Sequence, residues 1–507
     1  MQLNRLIEGL NIIKLQGKTS EDVSGVFFSA EQCIENSLFV AIKGLQKDGH
    51  DFIDEAIARG AKFIVGEQDR PFPPAVTVIQ VSDSRRALGM IARNYFGDPS
   101  AGLKLIAVMG TNGKTTTTYL LESILQEAGF QCGVLGTINY RYNHKTYAAP
   151  NTTPESYEMQ RIMRDMADDG ITHIVSEVSS HAVDLKRVDD CDFDLGIFTN
   201  LTRDHLDYHL TMENYFQAKK RFFAEILPQS RKVHAQKMVI NADDPWGQRI
   251  LNEVSLPAFT YGMEKNCAVR PVRYALSLQG IEAEMNLAGD TVFIKSPLIG
   301  KFNLYNMMAA VGAAFILQIP VRFIQRGIEK LANVPGRLEA VASAAPFNVF
   351  VDYAHTDDAL RRVLQTLSEL RQKRIITVFG CGGNRDRGKR PLMGEAAVAN
   401  SDLTIITSDN PRMEEPLDII AEIEAGIDGG NVRKLEADRL TLDDGQHSYA
   451  VIPDRRGAIE AAIGAAQKGD IVLIAGKGHE DYQILGTEKI SFDDRVVARK
   501  ILESRSG

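Results

Sequence analysis

A strand, a glycine loop and a helix follow one another directly in this chain, and their succession limits its possible folds more than any other feature. The apolar run Leu103 to Met109 ends in Gly110-Thr111-Asn112-Gly113-Lys114-Thr115-Thr116, and apolar residues at helical spacing follow at Leu120, Leu121, Ile124, Leu125 and Ala128. Glycines let a loop turn its N–H groups onto phosphate oxygens. The helix N-terminus adds partial positive charge, the lysine a full one, and the first threonine a hydroxyl for Mg²⁺. Val108 stands where the longer form of this loop carries its first glycine. The loop is therefore a shortened variant, and it predicts a nucleoside-triphosphate site on a parallel α/β sheet.

At 507 residues the chain exceeds one ordinary core, and length predicts about three domains. The expected divisions are 1–100, 101–334 and 335–507. The first has short strands at Leu38 to Ile42, Phe63 to Val65 and Val76 to Val81, with a helix at Ile53 to Arg59. A turn at Gly97-Asp98-Pro99-Ser100 leads to the second, whose later strands are Ile171 to Val175, Leu195 to Thr199 and Met238 to Asn241. A linker near Val334-Pro335-Gly336-Arg337 precedes the third, with strands at Ile375 to Phe379, Leu403 to Thr407 and Ile471 to Ala475. The fold class is α/β in three domains, a central P-loop parallel sheet and a Rossmann-like C-terminal unit among them.

A net charge of −8 disfavours a nucleic-acid binder. Five dispersed cysteines without metal-ligand spacing fit free thiols. No long apolar run predicts a membrane span, and the expected setting is cytoplasmic.

Ligands gather at the carboxyl ends of parallel strands, and the polar clusters of this chain fall there. Ser176-Glu177-Val178-Ser179-Ser180-His181 follows one strand; Glu177 reads either as a Mg²⁺ ligand or as a solvated loop glutamate. Asn200-Leu201-Thr202-Arg203-Asp204-His205-Leu206-Asp207-Tyr208-His209 follows another, with acids and histidines dense enough for a second metal. In the last third, Gly380 to Arg390, Ser408 to Arg412 and Gly476 to Glu480 combine arginines with acids. That pairing suits a zwitterionic amino acid, or else a set of surface ion pairs.

The loop Gly110 to Thr116, Asn151-Thr152-Thr153-Pro154, Glu177 to His181, Asn200 to His209, Gly300 to Asn306, Val351 to His355, Asp409-Asn410-Pro411-Arg412 and Gly476 to Glu480 together resemble the Mur ligases of peptidoglycan synthesis. The resemblance spans nearly the whole chain and is strongest to the branch adding the third stem-peptide residue. It implies an ATP- and Mg²⁺-dependent, ADP-forming ligase of cell-wall biogenesis, a process tied to cell shape and division. The acceptor would be UDP-N-acetylmuramoyl-L-alanyl-D-glutamate and the added residue meso-diaminopimelate. Apart from the resemblance, a monomer is expected, and the net charge speaks against nucleic-acid partners.

By the same resemblance, Thr115, Glu177, His205 and Lys219 form the metal site, and Lys114, Lys219, His205 and Glu177 the catalytic set. Lys219 matches a lysine that the family carbamylates; from the residues alone it is a solvated helix lysine. Gly110 to Thr116, Asn303, Arg337 and Asp352 correspond to ATP contacts. Ser29, with Lys43-Gly44 near it, and Asn151, Thr152, Thr153, Ser179 and Arg187 correspond to the muramyl-dipeptide site. Arg385, Asp409, Asn410, Pro411, Arg412, Gly476 and Glu480 correspond to the diaminopimelate site, with the arginines gripping the far carboxylate and Asp409, Asn410 and Glu480 the adjacent amine.

Three departures stand out. Phe28-Ser29-Ala30 replaces the family's Asp-Ser-Arg, Thr356-Asp357-Asp358 its Thr-Pro-Asp, and Lys186 a common glycine beside Arg187. The alternatives are a lysine-adding ligase, a folylpolyglutamate synthase, a silent nucleotide-binding scaffold, and a nucleic-acid-dependent ATPase.

Overall fold

The computed structural model describes residues 1–44, 47–232, 236–427, 432–437, 439–440 and 446–506. Three main sheets follow one another along the chain. In the first, strands Ile12–Gln16, Thr77–Val81, Ala61–Gly66, Ser37–Val40 and Val26–Phe27 lie side by side, parallel except for the first.

The second sheet has eleven strands. Its centre runs Cys132–Leu135, His173–Glu177, Lys104–Met109, Leu195–Phe198, Lys237–Asn241 and Ala258–Tyr261, all parallel. Both faces are covered, which is why these segments read as continuous apolar runs rather than alternating ones. On one face, Leu120, Leu121 and Ile124 of the helix Lys114–Glu127 pack with Met307, Met308 and Val311 of the helix Lys301–Ile316. On the other, Met159 and Met163 join Phe216, Phe222 and Phe223.

The third sheet places Asn348–Asp352, Ile471–Ala475, Ile375–Phe379, Leu403–Ile406 and Ser448–Val451 in parallel. Beneath it, Arg455 is fully buried and bonded through Nε and Nη2 to Asp494, at 2.8 and 2.7 Å.

The strands expected from apolar runs are present, with ends moved by a residue or two. Two differences matter. The strand expected at Ile171 to Val175 is His173–Glu177, so Glu177 is the strand's last residue and not a loop residue. Gly97 to Ser100 is not a plain turn: Asp98 takes φ +53° and stands at the N-terminus of the short helix Pro99–Gly102. An antiparallel meander, Val269–Ser277, Gly280–Leu287 and Asp290–Ser296, is absent from the sequence-based expectation. Its signal is the alternation of buried Ile281, Ala283, Met285 and Leu287.

Thr356-Asp357-Asp358 costs the fold nothing visible. Thr356 caps the helix Asp357–Leu370 by accepting from Ala359 N at 3.3 Å, and two acids in the first turn suit the helix dipole.

Candidate active site

The phosphate loop is held open by its own neighbours. Gly110 has φ +145°, and a Cβ there would lie 1.8 Å from Thr199 Oγ1; Gly113 has φ +87°, and its Cβ would lie 2.3 Å from Asn306 Oδ1. Neither position tolerates a side chain. The segment after the strand Leu195–Phe198 clamps the loop from the side. Thr111 N donates to Asn200 O at 2.8 Å, Asn112 N to Asn200 Oδ1 at 3.0 Å, and Thr199 Oγ1 to Asn112 O at 2.6 Å. Thr199 and Asn200 therefore clamp the loop, and Thr202 Oγ1 accepts from Asn112 Nδ2 at 3.1 Å; sequence reasoning names Asn200 and Thr202 only within a cluster read for its acids and histidines, and gives Thr199 no role in the site.

Lys114 folds back over the loop, donating to Gly110 O at 3.0 Å and Thr111 O at 2.9 Å. Burial pulls its pKa below the usual lysine range, against the attraction of Glu177 and Asp204. Lys219, on the helix Met212–Arg221, donates to the same Gly110 O at 2.9 Å. It is not a solvated lysine, being 1% exposed. Burial, and then the charge of Lys114, pull its pKa well below the usual value. The chain turns into a π-helix, Phe222–Ile226, directly after it.

A bonded series leads away from the loop. Thr115 Oγ1 donates to Glu177 Oε2 at 3.1 Å, and Thr137 donates to the same carboxylate through N at 3.0 Å and Oγ1 at 2.8 Å. Thr137 Oγ1 lies 3.2 Å from Thr152 Oγ1. Thr153 Oγ1 donates to Glu177 O at 2.9 Å and accepts from Ser179 N at 3.0 Å, while Arg187 Nη1 donates to Thr153 O at 3.2 Å. Tyr140 OH donates to Asn151 O at 2.5 Å. Thus Thr115, Glu177, Thr152, Thr153, Ser179 and Arg187 form one connected network, with Thr137 the member that sequence reasoning misses.

His205 stands beside this network and not within it. Its ring meets His181 edge-on at 4.8 Å, and its nearest carboxylate is Asp204 at 3.4 Å. Thr115 and Glu177 offer the hard oxygen ligands that Mg²⁺ takes. Among the described residues no three His, Cys, Asp or Glu side chains converge as a metal site. A complete Mg²⁺ shell would thus draw on donors of other types, such as the Thr115 hydroxyl. The residues present fit the ion on that condition.

Asn303 and Asn306 brace the loop from the helix Lys301–Ile316; Asn306 Nδ2 donates to Asn303 Oδ1 at 3.0 Å. Arg337 crosses from the C-terminal part of the chain, donating through Nη2 to Thr115 Oγ1 at 3.3 Å and lying 4.9 Å from the Tyr353 ring centre. Asp352 is buried and fixes the backbone after Arg337, accepting from Leu338 N at 2.6 Å and Ala354 N at 2.8 Å.

The N-terminal sheet reaches the site beside Lys43, through Arg85, which sequence reasoning does not name. Arg85 donates to Lys43 O at 3.0 and 2.8 Å and to Glu155 at 3.3 Å, and Glu155 also pairs with Arg187. Lys186 holds φ +56° and is ion-paired with Asp83. Ser29 makes no side-chain bond to the network. It precedes the short helix Ala30–Gln32, and its neighbour Phe28 packs on Tyr157, ring centres 6.0 Å apart.

The C-terminal cluster is compact. Asp409 and Asn410 are buried after the strand Leu403–Ile406, and Arg412 takes φ +52°. That backbone is pinned by the hairpin Tyr482–Leu485 and Glu488–Ser491: Arg412 N donates to Ile484 O at 3.1 Å, and Gly486 N to Arg412 O at 2.8 Å. A Cβ on Gly382 would lie 3.0 Å from Arg412 Nη1 and 3.8 Å from Arg385 Cγ, so both arginines flank one glycine. Gly476, at φ +112°, leaves room beside Asp409 Oδ2. Asn410 Nδ2 donates to Glu480 Oε2 at 2.9 Å. The expected amine acceptors already share one partner, the ammonium of Lys477, which sequence reasoning does not single out.

The Mur ligase family catalytic-domain description matches residues 22–96, the Mur ligase middle domain 108–314, and the Mur ligase glutamate ligase domain 336–478. The chain is a Mur ligase. It is 46% identical over 495 residues to the UDP-N-acetylmuramoyl-L-alanyl-D-glutamate–2,6-diaminopimelate ligase of Geobacter metallireducens, covering 98% of this chain and 97% of the relative. To the enzyme of that name from Geobacillus thermodenitrificans it is 41% identical over the full length of both. A solved structure bearing the same enzyme name aligns over 100% of this Mur ligase and 99% of that chain, with a TM-score of 0.71 and 31% identity. A folylpolyglutamate synthase from Mycobacterium tuberculosis, complexed with ADP and AMPPCP, aligns over 82% of the chain at TM-score 0.61 and 16% identity, a likeness of fold alone. Among the described residues no helix is long and apolar enough to cross a membrane.

Proposed function

We propose that this Mur ligase joins meso-diaminopimelate to UDP-N-acetylmuramoyl-L-alanyl-D-glutamate in the cytoplasm, with ATP turned over to ADP and phosphate. The observation that carries the reading is the network joining Thr115 through Glu177 and Thr137 to Thr152, since it couples a phosphate loop to a second polar site. The side-chain carboxylate of D-glutamate is a poor electrophile, so it takes the γ-phosphoryl group first. The amine of the incoming amino acid attacks the acyl phosphate, and phosphate departs from the tetrahedral adduct.

Negative charge crowds the site at each step, so the chain contributes mainly position and positive charge. The loop N–H groups and Lys114 hold the phosphates, and Arg337 adds a second cation from the C-terminal side. Asn303 and Asp352 support that surface, while Asn151, Thr152, Thr153, Ser179 and Arg187 hold the dipeptide, with Ser29 beyond them. Arg385 and Arg412 take the far carboxylate of the amino acid. The reading carries with it the boundaries near residues 100 and 334 and a monomeric enzyme.

Thr115, Glu177, His205 and a carbamylated Lys219 would hold Mg²⁺, which when bound offsets phosphate charge. Burial lowers the Lys219 pKa and so favours the neutral amine, the form that adds CO₂ by losing a proton to give a carbamate. A buried cation thereby becomes an anionic oxygen donor, in keeping with what the ion requires. Lys219→Ala is expected to lose activity and to regain part of it with added short carboxylates, and intact-protein mass measured under CO₂ should show one added CO₂ only in the parent. Absence of both responses would remove this role.

Phosphate release from ATP with the UDP-dipeptide, comparing meso-diaminopimelate, L-lysine and no amino acid, tests the whole reading. Release with diaminopimelate, matched by tripeptide product, is the expected result. Preference for lysine would overturn the specificity, and no release with either would overturn the reaction.

A further inference from the structure

Lys477 is fully buried, yet its ammonium does not pair with a single carboxylate. It lies 3.4 Å from Asp409 Oδ1, 3.1 Å from Asn410 Oδ1 and 3.2 Å from Glu480 Oε2. Its fourth neighbour is the Tyr482 ring, 5.5 Å to the centre, at the start of the hairpin that pins Arg412. A single buried cation bridging two carboxylates neutralises only one of them, and the remaining oxygens, Asp409 Oδ2 and Glu480 Oε1, are not bonded to Lys477. Gly476 keeps the space beside Asp409 Oδ2 clear, since even a Cβ there would approach to 3.0 Å.

We propose that Lys477 is a positioning residue for the ammonium at the far end of the added amino acid. It fixes the rotamers of Asp409 and Glu480, with Asn410 bonded between them, so that the second oxygens of the two carboxylates, Asp409 Oδ2 and Glu480 Oε1, stay available to the pocket, and it cancels one of the two carboxylate charges. The pocket then accepts one ammonium and no more, beside the arginines that accept one carboxylate. This deepens the diaminopimelate reading and rests on it. The two halves of the far end are thus recognised by separate groups: the carboxylate by Arg385 and Arg412, the ammonium by the set that Lys477 holds.

Two analogues separate those halves. L-Lysine keeps a distal amine and lacks the distal carboxylate; 2-aminopimelate keeps the carboxylate and lacks the distal amine. Steady-state kinetics on the parent, Lys477→Met and Glu480→Gln, with each amino acid varied in turn, reads the ratio of kcat/KM for meso-diaminopimelate over 2-aminopimelate. In the parent the ratio should be roughly ten- to hundredfold, the worth of a hydrogen-bonded charge. Both variants should bring it close to one through KM for diaminopimelate, with KM for ATP unchanged and the preference for diaminopimelate over lysine retained. A ratio that survives in either variant, or a Lys477→Met variant that raises every KM alike, overturns the proposal. A parent that uses no diaminopimelate instead overturns the function on which it rests. Should Lys477→Met fail to fold, Lys477→Gln, which keeps a donor and removes the charge, decides in its place by the same ratio.

Discussion

Lys114→Met is expected to lower kcat/KM by roughly 10³-fold or more, the cost of removing a cation aimed at developing phosphate charge in a water-poor site. Lys114 is held over the loop by Gly110 O and Thr111 O, which keeps its ammonium at the phosphate loop. The variant should keep the fold, because the loop is clamped independently by Thr199 and Asn200. Measured ATP turnover with circular dichroism as control checks both halves. A loss below tenfold would mean that Lys219 or Arg337 carries the charge stabilisation instead.

The second large effect is on choice of amino acid. Arg412→Ala should reduce kcat/KM for diaminopimelate by about 10²-fold or more and leave the parent's discrimination of ~10⁴ against lysine much reduced. A site built around a guanidinium rejects a substrate without a carboxylate because the charge would be left unpaired. The backbone of Arg412 suits it to gripping a carboxylate. Its φ of +52° turns it out of the strand direction, and two backbone bonds to the hairpin at Ile484 and Gly486 hold it there. Competition between the two amino acids in one assay gives the ratio directly. If diaminopimelate use is unaffected, or lysine remains just as poor, the far carboxylate is bound elsewhere.

How much of the site is legible from the chain alone varies with the range of the interaction. Gly110 to Thr116 can be read because phosphate binding is local: consecutive residues supply the turn, the charge and the helix start. Asp409 to Arg412 and Gly476 to Glu480 are legible as separate turns for the same reason. Thr137 is not, since its role depends on lying opposite Glu177 across two strands. Nor is Lys477, whose three acceptors come from a turn about seventy residues earlier and from Glu480 on its own turn. Lys219 shows the gap from the other side: its helix carries polar neighbours and reads as solvated, whereas packing against the loop buries it completely.

The α/β class, the apolar parallel strands, the phosphate loop and the family follow from the amino-acid order, because apolar runs, glycine turns and motif spacing are properties of neighbouring residues. Which oxygens meet Thr115, the one carbonyl that Lys114 and Lys219 share, and the place of Lys477 among Asp409, Asn410 and Glu480 emerge only in three dimensions. Burial and the pairing of charges depend on residues far apart in the chain, and folding alone brings those into contact.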